Sequence, residues 1–177
     1  MKRLISIFLI IIAMANAARA GGKTEFSVGY GGLPAMRFIP GYYNHWNKMN
    51  PWGAVVISLE HEFFPDLWLG FSYTISSASS NDVSNMRGGA IVWHSMMATA
   101  RYGYFTRGRV MLYASAGVGS LSAFIQPDWA ENYNRTMIGF QINPVGVALR
   151  LLDNLDIFGE AGFGVQGIAR SGLRIDF

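Results

Sequence analysis

The sequence predicts an all-β chain, an eight-stranded antiparallel up-and-down transmembrane β-barrel that follows a cleaved export signal. Three observations carry that reading. Apolar residues recur at every second position in segment after segment, and the connections between these segments alternate between short and long. Beyond the first residues, no apolar run reaches the ~20 residues that a spanning helix needs.

Residues 1–20 read as a secretory signal peptide. Lys2 and Arg3 supply a positive start, residues 4–15 an apolar stretch, and Ala18-Arg19-Ala20 a small-residue cleavage pattern before Gly21. The barrel then occupies residues 21–177. The signal takes with it Lys2, Arg3 and Arg19, three of the fourteen basic residues, and none of the eleven acidic ones, so the remainder is balanced. A balanced chain offers no electrostatic case for nucleic acid. With no cysteine there is no disulfide framework, thiolate metal site or lipid-bearing cysteine.

The strands follow in order. Over 23–31, Thr24, Phe26, Val28 and Tyr30 alternate with Glu25, Ser27, Gly29 and Gly31; over 52–62, Val55, Ile57 and Leu59 alternate with Ser58, Glu60 and Glu62. The run 67–77 is the cleanest, with Leu67, Leu69, Phe71, Tyr73 and Ile75 separated by Gly70, Ser72, Thr74 and Ser76. Over 89–105, Ala98, Ala100, Tyr102 and Tyr104 stand against Thr99, Arg101 and Gly103. Over 109–120, Val110, Leu112, Ala114, Ala116 and Val118 oppose Arg109, Tyr113, Ser115, Gly117 and Gly119. The run 136–150 loses phase at Asn143-Pro144, where a proline that cannot donate to the ladder predicts a bulge. Over 155–165, Ile157, Ala161, Phe163 and Val165 oppose Glu160, Gly162 and Gly164. Over 167–177, Ala169, Leu173, Ile175 and Phe177 oppose Arg170, Gly172, Arg174 and Asp176.

Pro65-Asp66, Thr106-Arg107-Gly108 and Leu152-Asp153-Asn154 read as tight turns, and residues 32–51, 78–88 and 121–135 as long loops; the last hairpin, at Gln166-Gly167, is short. Short turns at one end and longer loops at the other are the layout of an outer-membrane barrel with both termini in the periplasm.

The minor face places the chain in a membrane. A soluble barrel shows charge on its polar face, whereas here that face is glycine, serine and threonine with lone charges, and there are only three lysines. In a narrow barrel such a face points inward. Glu25, Glu60, Glu62, Arg101, Arg150, Glu160, Arg170, Arg174 and Asp176 then form a luminal network that plugs the barrel. A narrow polar pore is the alternative. Phe63, Phe64, Trp68, Tyr104, Phe105, Phe158 and Phe177 near the turns, and Tyr30, Trp52, Trp93 and Phe124 near the loops, read as two interfacial belts.

On these residues the chain resembles the small eight-stranded outer-membrane barrels, the OmpA transmembrane domain and OmpX type. Its final strand, alternating apolar residues closing on Phe177, looks like the assembly signal of that class, and Phe158-Gly-Glu-Ala-Gly-Phe-Gly164 is similar to barrels of Bacteroidetes. The resemblance implies outer-membrane lipid and lipopolysaccharide as surroundings and the barrel-assembly machinery as a partner in biogenesis, and leaves structural, adhesive, pore-forming and lipid-modifying roles open.

The residues themselves speak against catalysis. His94-Ser95 are strand neighbours on opposite faces, His61 opposes both Glu60 and Glu62, and the H-x-S-N pattern of barrel deacylases is absent, so a lipid A enzyme ranks third behind a surface-interaction barrel and a small pore. Asp128, Glu131, Asn132 and Asn134 match no metal-binding spacing, and no cofactor is expected. The candidate binding residues are Arg37, Tyr42, Tyr43, His45 and Trp46 in the first loop, with Lys48 beside them, a mix suited to sugars, a host protein or lipopolysaccharide phosphates.

Overall fold

The computed structural model describes residues 22–33, 50–80, 89–127 and 131–177. The expected signal at 1–20, the loop residues Arg37, Tyr42, Tyr43, His45, Trp46 and Lys48, and Asp128 lie outside them.

The described residues form eight strands: β1 (Thr24–Gly32), β2 (Asn50–Phe64), β3 (Leu67–Ser80), β4 (Gly89–Arg107), β5 (Val110–Pro127), β6 (Tyr133–Leu152), β7 (Leu155–Gly164) and β8 (Ala169–Asp176). Each pairs antiparallel with its sequence neighbour, and β8 returns to β1 to close the barrel, from Glu25↔Asp176 to Gly32↔Ala169. The turns lie where the residues allow them. Asp66 (φ 65°) and Gly108 (φ 60°) supply the left-handed positions between β2 and β3 and between β4 and β5.

The alternation sorts the side chains as expected, apolar outward. Ile138 (76% exposed), Val118 (59%) and Ile142 (56%) lie open on the outer face, while Ser58, Ser72, Thr74 and Ser76 are buried inside. Pro144 sits at a register shift between Ile142 and Val145, so the bulge falls where the proline broke the pattern. Val165 departs from its outward assignment. Gly164, at φ 151°, turns the chain into the lumen, and Val165 and Gln166 are buried there.

The largest correction concerns residues 121–135. Rather than a loop, β5 runs on to Pro127 and β6 begins at Tyr133, with ladder pairs from Leu121↔Met137 up to Ile125↔Tyr133. The wall is therefore uneven. β4, β5 and β6 hold 19, 18 and 20 residues, whereas β7 and β8 hold 10 and 8.

Candidate functional site

The interior is filled from the turn end by ions. Arg101 on β4 reaches across to Glu25 on β1, and its Nε lies 2.9 Å from Glu60 Oε2 on β2. Arg174 on β8 comes to Glu25 from the other side, Nε to Oε2 at 3.3 Å. Arg170 Nη2 lies 2.6 Å from Glu160 Oε2, an oxygen that also accepts from Asn143 Nδ2 at 2.8 Å. Thr99 Oγ1 donates to Glu60 Oε1 at 3.1 Å, and Tyr113 Oη to Glu160 Oε1 at 2.9 Å. Three guanidinium groups thus face three carboxylates in the barrel interior, with Thr99, Tyr113 and Asn143 donating to the Glu60 and Glu160 oxygens, while Arg101 Nη1, Arg170 Nε and Arg174 Nη1 are buried without a partner. A buried charge can be held only on those terms.

Aromatic rings carry the cations. The Arg101 guanidinium lies 4.3 Å from the centre of the Trp68 ring, and that of Arg174 lies 5.2 Å from Tyr113 and 5.0 Å from Phe158. Glycines make room for the rings: a methyl group at Gly146 would strike Tyr113, its register partner, and one at Gly172 would come within 2.9 Å of Phe158. This corrects the belt assignment of Trp68 and Phe158, which are 5% and 3% exposed and point inward. Their parity gives the reason, since Trp68 lies between the outward Leu67 and Leu69, and Phe158 two residues before Glu160. Tyr30, Trp52, Phe63, Phe64, Tyr104, Phe105, Phe124 and Phe177 are exposed.

At the turn-end mouth, Arg150 bridges Asp156 (3.0 Å) and Asp176 (2.9 Å) beside a cavity of about 260 Å³. Asp156 did not figure among the expected charges, because it sits one residue inside a turn where alternation has barely begun. Glu62 shares no ion pair with the network; it lines the mouth and accepts from the Asp66 backbone N–H at 3.2 Å.

Above this layer the filling changes. Gln166 Nε2 donates to Ser72 Oγ across the barrel at 3.0 Å, and its backbone N–H to Gln141 Oε1 at 2.9 Å. Toward the loops lies an apolar cluster of Ala78, Ile91, Trp93, Met97, Leu121, Ala123, Ile125 and Val165, with Met137 against it. Trp93, expected in the loop-side belt, is 2% exposed and central to this cluster, on the inward parity of Met97 and Arg101.

The three histidines divide as follows. His94 faces outward and bonds to Tyr73 Oη while Ser95 is buried inside; His61, on the outward parity of β2, is nonetheless buried, its Nδ1 2.9 Å from Thr24 Oγ1; His45 lies outside the described residues. Among the described residues no three His, Cys, Asp or Glu side chains gather around a common point. Phe177 is 74% exposed, and its backbone exchanges hydrogen bonds with Thr24 at 2.9 and 3.2 Å.

No family model matches the chain, and no curated protein matches it significantly. Among solved structures it is similar to Neisserial surface protein A, at 17% identity over 89% of this chain and 97% of that one, with a TM-score of 0.52. Two others are Ail, the attachment invasion locus protein of Yersinia pestis (13% identity, 88% and 95%, TM-score 0.49), and the N-terminal β-barrel domain of Pseudomonas aeruginosa OprF (15%, 88% and 97%, 0.48). The likeness is one of architecture: the chain has the closed eight-stranded fold of the small outer-membrane barrels.

Proposed function

We propose that this protein resides in the bacterial outer membrane, exported on residues 1–20 and assembled through its terminal strand, and acts there as a surface-interaction barrel with a filled lumen. The single observation that supports an interaction role is the free edge of β6. Phe140 O accepts from Val165 N at 3.0 Å, so the backbone of Phe140 faces β7, and by the two-residue period so does that of Ile138, Thr136 and Asn134. The β6–β7 ladder begins only at Gln141↔Gly164. Above it, those three N–H and three C=O groups meet no strand among the described residues, and an unpaired edge is a template for another strand. The occupant is an extended segment of another protein. Two copies in one bilayer run β6 in the same direction, and a two-fold axis along the strands would set like groups against like.

Amide exchange on the refolded protein tests the edge. Fast exchange at Thr136 and Ile138 beside slow exchange at Arg135 and Met137 is expected; uniform protection would mean that another part of the chain already fills it. A pore is the second reading, favoured by the open cavity at the turn end. Planar-bilayer recordings should be silent, because the ionic layer and the apolar cluster lie in series across the lumen; steady openings would put the pore first.

A further inference from the structure

The cavity at the turn-end mouth is lined by charges that the ionic layer leaves unanswered. Arg150 is shared between Asp156 and Asp176, and Lys23 lies 4.0 Å from Asp176. Glu62, Asp66 and Arg109 line the same cavity, yet among the described residues none of these three side chains has an ion pair. Glu62 meets only the Asp66 backbone N–H. Arg109 stands opposite Arg150, since Val110 and Leu149 are register partners and Arg150 N donates to Arg109 O at 2.8 Å. The mouth therefore has an acidic side, at β2 and the turn that follows it, and a basic side at the start of β5.

Between the two sides the lining is apolar, with one polar atom in it. Trp68, the register partner of Glu62, lines the cavity with Met111 and Ala148. Gly103 keeps the space open: a methyl group there would come within 3.3 Å of Met111 Sδ and 3.4 Å of Trp68 Cζ3. With Cζ3 toward β4, the opposite edge of the indole, which carries Nε1, is turned away from that strand. Trp68 is 5% exposed, and its Nε1–H is buried with no acceptor among the described residues. A buried donor left unpaired is costly, and an acceptor supplied by a ligand removes that cost.

A plain anion entering this cavity is repelled by Glu62 and Asp66, and a plain cation by Arg109. A molecule with an ammonium at one end and a carboxylate at the other satisfies both sides at once. β2 and β5 stand three strand spacings apart, about 14 Å along the wall, and the inward reach of the Glu62 and Arg109 side chains shortens that gap to the length of a residue or two of peptide. A volume of about 260 Å³ agrees, falling just short of pockets for drug-sized ligands, which begin at about 300 Å³. We infer that the turn-end cavity binds a small apolar zwitterion of dipeptide size, its ammonium at Glu62 and Asp66, its carboxylate at Arg109 and the Trp68 Nε1–H, and its side chains on Met111 and Ala148. With the turn end in the periplasm the ligand comes from that compartment; the binding itself does not rest on the membrane placement proposed above.

The test is NMR on the refolded protein in detergent micelles, following the Trp68 indole N–H resonance, assigned by its loss in Trp68→Phe, during titration with alanyl-alanine. Heat-dependent gel mobility checks the barrel separately. A saturable shift is expected, with affinity at least about tenfold lower for N-acetyl-alanyl-alanine and for alanyl-alanine amide, each of which lacks one of the two charges. Arg109→Gln should abolish the preference for the acid over the amide and keep that for the free amine over the acetylated form; Glu62→Gln/Asp66→Asn should do the reverse. The comparison of the three probes on the unsubstituted protein stands even where a variant fails to fold. No shift, equal affinity for all three probes, or unchanged preferences in the folded variants would overturn the assignment.

Discussion

Along the inner face of β4, Ile91, Trp93 and Met97 fill the lumen above, and Arg101 fills it below, on one strand with one parity. The lower layer is held by direction: the carboxylates of Glu25, Glu60 and Glu160 are met by the guanidinium groups of Arg101, Arg170 and Arg174 and by the hydroxyls of Thr99 and Tyr113. The upper layer is held by volume, with no charge within it. The two should fail differently. A lower-layer lesion leaves a charge without its partner, whereas an upper-layer lesion leaves a hole.

Arg101→Met should be the most damaging change, because it strips both Glu25 and Glu60 of their shared cation; breaking a buried pair on one side costs about 3–5 kcal/mol. Urea unfolding in phospholipid vesicles measures it, and a loss under 1 kcal/mol would mean that water reaches the layer. Leu121→Ala, fully buried in the upper cluster, should cost about 3 kcal/mol by the same assay and leave the salt dependence of unfolding as it was. A shift in that dependence would deny that the halves are distinct. Gly146→Ala forces a methyl group against the Tyr113 ring and should cost about 2 kcal/mol, with Tyr113→Ala restoring part of the loss in the double variant. Smallest of all, Arg150→Gln at the half-open mouth should cost only about 0.5 kcal/mol, fading as salt is raised.

The same contrast explains what could be read from sequence. The lower layer was legible because lone charges such as Glu25, Arg101, Glu160 and Arg174 interrupt apolar residues on a strict alternation, and only one face of a barrel in lipid can hold them. Residues 121–126 were not. There Leu121, Ala123 and Ile125 point inward while Ser122 and Gln126 point outward, so the polarity of the alternation is the reverse of that at Arg101 and reads as a broken strand. The reversal has a physical reason under the outer-membrane placement proposed above: this stretch would reach the lipid boundary, where the outside no longer demands apolar residues, while the inside is closed by packing. Trp68, Trp93 and Phe158 were misplaced for a related reason, since large aromatics near strand ends suit an interface by composition, and parity alone reveals that they point inward.

The union of β1 with β8 has a consequence for assembly. Seven of the eight ladders join neighbours across a single connection and can zip as hairpins, but Glu25 meets Asp176 only after nearly the whole chain has been laid down. Ring closure is therefore the non-local, slow event of folding. Until it happens, the first and last strands each offer a bare margin to any other nascent chain. A catalyst of insertion would aid this step by keeping those two margins from competitors and bringing them together at the seam between Thr24 and Phe177.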